Sequence, residues 1–168
     1  MDKTYKPETV EANCYENWEK KNYFSPQNDS KDSRKAYCIM LPPPNVTGVL
    51  TMGHVLNNSI QDILARRARQ QGKSVLWLPG TDHAGIATQT KVEQALRNEG
   101  KSRTDLGRDN FIDHAKLWRD KHGGIILEQL KKLGCSCDWE RNVHTLDEDY
   151  SRAVISAFVK LYKKGYVY

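Results

Sequence analysis

The order of two short apolar runs, each followed by a loop and a long amphipathic segment, constrains this chain most. "AYCIML" (36–41) has the length of a strand and is stopped by Pro42. A helix is predicted from Met52 to Gln71, ended by Gly72, with Met52, Leu56, Ile60, Ile63 and Leu64 as its apolar face. "SVLWLPG" (74–80) reads as a second buried strand and "TDHAG" (81–85) as the loop after it. Ala84 to Asn98 reads as a second helix, closed by Gly100. Strand–helix–strand–helix order predicts parallel strands with right-handed crossovers, an α/β doubly wound sheet. Such sheets bind ligands at the carboxyl ends of their strands. Both unusual loops, 42–53 and 79–85, fall there.

The flanks read as mostly helical. Residues 8–22 form a helix with Val10, Cys14, Tyr15 and Trp18 on one stripe, and the polar stretch 25–35 is a linker. Two amphipathic segments, 108–122 and 125–134, are expected to be separated at Gly123 and Gly124. A third helix covers 146–165, acids first and lysines last, as the helix dipole prefers. The final "YVY" reads as the start of a strand.

Composition narrows the class. An apolar share of 38% and a charged share of 28% suit a globular domain with its own core. No apolar run approaches the roughly 20 residues of a membrane span, and the N-terminus lacks the apolar core of a signal peptide. A cytoplasmic chain with reduced thiols and no membrane partner is expected. "CSC" at 135–137 is not zinc spacing, so no structural zinc is expected. The net charge of +5 arises entirely after residue 35, in Arg66, Arg67 and Arg69 and in clusters near 97–103, 131–132 and 163–164. It permits an anionic partner, and solvated helix faces explain each cluster equally well.

The two loops carry the chemistry. Pro42, Pro43 and Pro44 fix φ and lack N–H groups, so they form a stiff extended segment whose carbonyls point outward. Such acceptors, with Asn45 and the Asp82 carboxylate, suit a substrate bearing an ammonium group. A rigid connector is the other reading of the prolines, and capping of the next helix the other reading of Asp82. Gly53 stands at the helix start, where a missing Cβ lets a base or phosphate approach and free N–H groups attract anions. His54 could hydrogen-bond a phosphate oxygen. On spacing alone it reads first as a core or capping histidine. Neither a P-loop nor a G-x-G-x-x-G pattern is present.

"PPPNVTGVLTMGH" (42–54) resembles the signature region of the class I aminoacyl-tRNA synthetases, and within them that of the valyl enzymes. "WLPGTDHAGIATQTKVE" (77–93), "GGIILEQLKKLGCSCDWER" (123–141) and "TLDEDYSRAV" (145–154) extend the likeness over nearly the whole chain. The resemblance implies the first half of a Rossmann-like catalytic domain over 36–168, preceded by a helical arm and linker over 1–35. It implies a ligase that joins valine to ATP as valyl-adenylate and passes the valyl group to its tRNA. Pro42, Pro43, Asn45 and Asp82 would hold the amino acid. Thr47, Gly53 and His54 would bind ATP, with Mg²⁺ arriving on the nucleotide. Thr51 and His54 would occupy the two motif positions that assist catalysis.

Two departures bear on that reading. The family motif has a histidine where this chain has Thr51, which should weaken activation by about 1–3 kcal/mol if that histidine binds phosphate. The enzymes are also several times longer, with editing, anticodon-binding and lysine-loop segments. The chain is therefore read as the N-terminal portion of a synthetase that ends inside the fold, with little activity alone. The family is monomeric, and open apolar faces would favour association of such a piece. The alternative is a non-catalytic module that keeps the binding loops.

Overall fold

The computed structural model describes residues 4–26 and 33–168, so residues 27–32 of the expected linker lie outside the described residues. The elements run α1 (Pro7–Lys20), β1 (Ala36–Met40), α2 (Met52–Gln70), β2 (Ser74–Leu78), β3 (Gly80–Thr81), α3 (Gly85–Asn98) and α4 (Arg103–Lys132). A 3₁₀ turn (Trp139–Arg141), β4 (Val143–His144) and α5 (Glu148–Lys163) follow. The chain forms two compact units. One holds Met1–Pro42, Val49–Pro79 and Gly124–Asn142, the other Pro43–Gly48, Gly80–Gly123 and Val143–Tyr168. Among the described residues no helix is long and apolar enough to cross a membrane.

In the first unit β1 and β2 pair in parallel, Ala36 opposite Ser74 through Met40 opposite Leu78. The helix between them, α2, packs on both strands. Trp77, Leu41, Ile126 and Leu130 are fully buried around them. The expected apolar stripe of α2 is not the buried one. Met52 is 79% exposed and Ile63 64%, whereas Asn58, Ala65 and Ala68 are buried. A polar clamp explains this orientation. The Ser136 N–H and hydroxyl donate to Asp62 Oδ1 at 2.9 and 2.6 Å, and Arg66 joins Asp62 Oδ2 to the Gly134 carbonyl. Arg69 donates to the Ser136 hydroxyl and carbonyl and to the Phe24 carbonyl. Two arginines of the 66–69 cluster therefore hold the fold.

The clamped stretch, Cys135 to Asp138, is almost wholly inaccessible. The Asp138 carboxylate accepts from Ser25 and Arg141, and its N–H donates to the Trp77 carbonyl. A buried carboxylate needs such partners. Burial pushes the Cys135 thiol up to about 12 and raises that of Cys137 as well. Helix α1 buries no residue. It is anchored where its stripe was expected: the Tyr15 hydroxyl donates to the Cys135 carbonyl at 2.5 Å and accepts from Trp139 Nε1 at 2.8 Å.

The second unit contains strands where a plain loop was expected. β3 pairs in parallel with β4, Gly80 opposite Val143 and Thr81 opposite His144. Val92, Leu96 and Phe111 form its core, with Leu106, Ala115 and Trp118 packed against them. The expected break at Gly123–Gly124 is absent, because α4 runs through it; the interruption lies at Gly107, with φ 72° and ψ 171°. Tyr166 to Tyr168 form no strand. Helix α5 has acids first and lysines last, as expected, yet buries nothing: Val154, Ile155, Phe158 and Tyr162 are all more than half exposed.

Two measurements check this packing. A Cβ on Gly80 would lie 2.9 Å from the Val143 carbonyl oxygen, a main-chain atom that cannot swing aside as a side chain would. Gly80→Ala should therefore destabilise the protein by about 1–3 kcal/mol in denaturant titration. Under native conditions a thiol reagent should modify exposed Cys14 and Cys38 and leave Cys135 and Cys137 untouched until unfolding.

Candidate active site

In the second unit the Pro-rich loop and the "TDHAG" loop are joined by main-chain pairing. The Asp82 N–H donates to the Pro44 carbonyl at 2.9 Å, the Val46 N–H donates to the Asp82 carbonyl at 3.0 Å, and Asn45 stands opposite Asp82. The reading of free prolyl carbonyls is thus corrected for Pro44, whose carbonyl is engaged and whose ring is buried. A proline can enter a bridge only as acceptor, and its carbonyl is the group used. Trp118 Nε1 donates to the Val46 carbonyl at 2.9 Å and ties the segment to α4. Pro43 and Asn45 remain exposed and Thr47 half-exposed. Pro42 is exposed and belongs to the first unit.

The pairing fixes the backbone of Asp82, and Thr145 fixes its side chain. The Thr145 hydroxyl donates to Asp82 Oδ1 at 3.0 Å and accepts the His83 N–H at 3.0 Å. It also contacts His83 Nδ1. Its single proton is given to Asp82, so His83 Nδ1 must be the donor in that contact. Helix capping is not the role of Asp82: the cap of α3 is Ala84, held in the left-handed region at φ 53°. Thr88 closes the turn by donating to the His83 carbonyl at 2.6 Å. A non-glycine residue in that region carries strain, which clusters at functional loops.

His144 lies beside this network, with Nδ1 3.0 Å from the Thr81 hydroxyl and Nε2 buried without a partner among the described residues. Burial lowers its pKa first, and Arg119 lowers it further, while Asp147 opposes and His83 adds a smaller depression. His122, stacked on Trp118 at 4.1 Å between centroids, is lowered by burial and by Lys121.

In the first unit Thr51 caps α2 and His54 occupies the third helical position. The Thr51 N–H donates to His54 Nδ1 at 3.0 Å, and the Thr51 hydroxyl lies 2.9 Å from the same nitrogen. A nitrogen that accepts from a main-chain N–H carries no proton. These partners assign the neutral ring its proton at Nε2, leaving a donor for a ligand. The capping role anticipated for His54 is real and sets that donor. Gly53 is exposed, and a Cβ there would meet only Thr51 Oγ1 at 3.7 Å, an ordinary contact. Nothing among the described residues requires a glycine at this position.

Thr145, His83 and the capping function of Thr51 were missed from sequence. Thr145 stands 63 residues from Asp82, and no local pattern joins them. The spacing of Thr51 to His54 is that of a capping box, with histidine in place of the usual Glu or Gln. Among the described residues no group of three His, Cys, Asp or Glu side chains could hold a metal ion.

Comparison with known proteins gives a consistent result. The family model for tRNA synthetases class I (I, L, M and V) matches residues 13–168. A valine–tRNA ligase of Phocaeicola vulgatus is 54% identical over 164 residues, 98% of this chain and 18% of that protein. A valine–tRNA ligase of Carboxydothermus hydrogenoformans is 51% identical over 168 residues, 100% of this chain and 19% of that protein. Among solved structures, a LeuRS of Agrobacterium radiobacter in a ternary complex with tRNA and LeuAMS superposes with a TM-score of 0.77 at 25% identity. It covers 96% of this chain and 19% of that one. The chain thus spans less than a fifth of the length of these relatives.

Two predictions follow from the histidine and threonine contacts. Thr145→Val should leave the fold intact and weaken any ligand held by Asp82 by about 1.5–3 kcal/mol, the worth of a hydrogen bond to a charged group, read by calorimetry. For His144 and His122 the folded pKa lies below the unfolded value of about 6.5, so the unfolded chain binds more protons just below that pH. Stability should fall as pH drops below about 6.5, and His144→Gln should flatten the dependence in melts recorded from pH 7.5 to 5.

Proposed function

The chain belongs to the class I tRNA synthetase family, and from that premise we propose that it carries ATP- and valine-binding elements of a valine–tRNA ligase. The observation that carries the reading is the Asp82 arrangement: main chain locked to Pro44 and Val46, carboxylate oriented by Thr145, side chain one-third exposed. A carboxylate so fixed, beside the exposed Asn45 amide, suits the ammonium and carboxylate ends of a free amino acid. Pro43 adds a stiff wall in the same unit, and Pro42 is assigned to the amino acid by the family resemblance alone. The choice of valine rests on the names of the relatives.

The start of α2 suits ATP. His54 offers Nε2–H to a phosphate oxygen, the first-turn N–H groups and the dipole favour negative charge, and Gly53 leaves the backbone open to a flat base. Thr47 is assigned to the phosphates or the ribose. Mg²⁺ enters on ATP, with phosphates and water as its ligands. In the reaction a valine carboxylate oxygen bonds to the α-phosphorus and the bond to pyrophosphate breaks; a tRNA hydroxyl then bonds to the valyl carbonyl carbon, loses its proton, and AMP leaves as the acyl–phosphate bond breaks. Catalysis of this kind is positioning and charge stabilisation. The whole reaction, and the tRNA partner with it, is proposed for proteins of the relatives' length.

The test is binding of a non-hydrolysable valyl-adenylate analogue, measured by calorimetry on this chain and its variants. Asp82→Asn should weaken binding by at least tenfold. Gly53→Ala should fold as well as the parent, since alanine favours a helix by roughly 0.5–1 kcal/mol, and yet bind the analogue more weakly. Equal affinity for the valyl and isoleucyl or threonyl analogues, or an Asp82→Asn variant that binds undiminished, would overturn the assignment.

A further inference from the structure

The segment 47–51 leads into α2 and belongs to no helix or strand. Among the described residues, one main-chain group between Thr47 and Leu50 has a hydrogen-bond partner. It is the Leu50 N–H, which donates to Gln129 Oε1 at 2.9 Å. Gln129 comes from the last turn of α4, 79 positions further along the chain, and both residues belong to the first unit. The function proposed above gives Gln129 no role.

Gln129 stands on a packed part of the fold. Ile126 and Leu130, on either side of it in α4, are fully buried, and the Cys135 N–H returns to the Leu130 carbonyl. The Gln129 side chain is half-buried, so its oxygen is a fixed acceptor. The next N–H along the chain, that of Thr51, donates to His54 Nδ1 at 3.0 Å. Two consecutive peptide N–H groups are thus pinned to side chains of two different helices, α4 and α2. Only the φ and ψ of Leu50 separate them, because the peptide planes are rigid. With the first N–H held, those two torsions alone direct the second. With the first N–H released, the Thr51 N–H loses its aim at Nδ1. His54 itself is held from inside its helix, where Asn58, 3% exposed, donates from Nδ2 to the His54 carbonyl at 2.8 Å. The part left to be fixed is the segment that enters α2, and Gln129 fixes it.

We propose that Gln129 is a positioning residue for ATP. It does not touch the nucleotide. By holding Leu50 it aims the Thr51 N–H at His54 Nδ1, and so keeps the ring proton on Nε2, available to a phosphate oxygen. This inference rests on the reading of His54 as a phosphate donor; the hydrogen bonds that carry it do not depend on that reading. An oxygen acceptor at position 129 can do this, and an apolar side chain of the same length cannot.

The test is nitrogen-15 NMR of the histidine rings in the intact chain, at a pH above the histidine range. The His54 signals are assigned by their absence from His54→Gln. ATP affinity of the same proteins is read by calorimetry. The parent should show the Nε2–H form of His54 alone. Gln129→Met should admit the Nδ1–H form and weaken ATP binding by about tenfold, the scale of one lost hydrogen bond. Gln129→Glu, which keeps an acceptor, should restore the Nε2–H form. Glu128→Gln, a change at an exposed neighbour on the same helix, should alter neither readout. Should Gln129→Met not fold, Gln129→Ala carries the same expectation. A folded Gln129→Met chain that keeps the parent's ring form overturns the proposal, whatever its ATP affinity. So does a changed ring form with undiminished ATP binding. A parent chain that binds no ATP would count against the nucleotide reading of His54, and the ring spectra would still decide whether Gln129 sets its proton.

Discussion

The candidate site of the second unit depends on two main-chain hydrogen bonds. Pro44 accepts from Asp82, and Asp82 accepts from Val46. Without that bridge the Pro-rich segment and the "TDHAG" loop would be two separate surface loops, and the Asp82 carboxylate would have no fixed address. Everything near it reinforces the bridge. Trp118 holds the Val46 carbonyl, and Gly80 admits β4 so closely that a Cβ there would lie 2.9 Å from the Val143 carbonyl oxygen. That approach brings Thr145 to Asp82 and His83. The hydroxyl serves as a relay with one proton to give. Giving it to the carboxylate makes the histidine a donor and leaves the outer face of the carboxylate for a ligand.

Much of this arrangement was legible and some was not, for physical reasons. The parallel pair β1–β2 and the helices after it follow from strand-length apolar runs and from period, which are local properties. The special status of the Pro-rich loop and of Asp82 was legible because prolines and glycines together are costly without a purpose. The two-residue strands β3 and β4 were not, since two residues carry no alternation and their partner lies about 60 positions away. The orientation of α2 was misleading for a different reason. Period identifies an apolar face but not what covers it, and here the small residues Ala65 and Ala68 face the core while the larger stripe is exposed. The clamp by Asp62, Arg66 and Arg69 decides the matter, and it joins residues 67 to 74 positions apart.

The same clamp sorts the positive charge. Sequence offers several basic clusters of equal appearance. Arg66 and Arg69 spend their donors on the Asp62 carboxylate, on carbonyls and on a hydroxyl of their own unit, and they lie over the Trp18 and Phe24 rings respectively. Such guanidiniums are structural and add little to the field felt by a partner. Arg103, Lys116 and Arg119 of α4 instead pair with carboxylates while staying more than a third exposed. Net charge alone could not separate the two kinds; the hydrogen-bond partners do.

The threonine that departs from the family motif also takes on a different meaning. Read as a sequence, Thr51 is a lost histidine and therefore a lost phosphate ligand. In the structure its N–H is the group that sets the proton on His54, because a main-chain donor to Nδ1 leaves Nε2 as the protonated nitrogen. That contact comes from the backbone and would be present with any residue but proline at position 51. The hydroxyl, 2.9 Å from the same nitrogen, supplements it and stabilises the cap. The state of the second motif histidine is therefore insulated from the identity of the first. A chain can exchange histidine for threonine at the cap, gain a better N-cap residue, and keep the donor that the phosphate-binding role proposed for His54 requires.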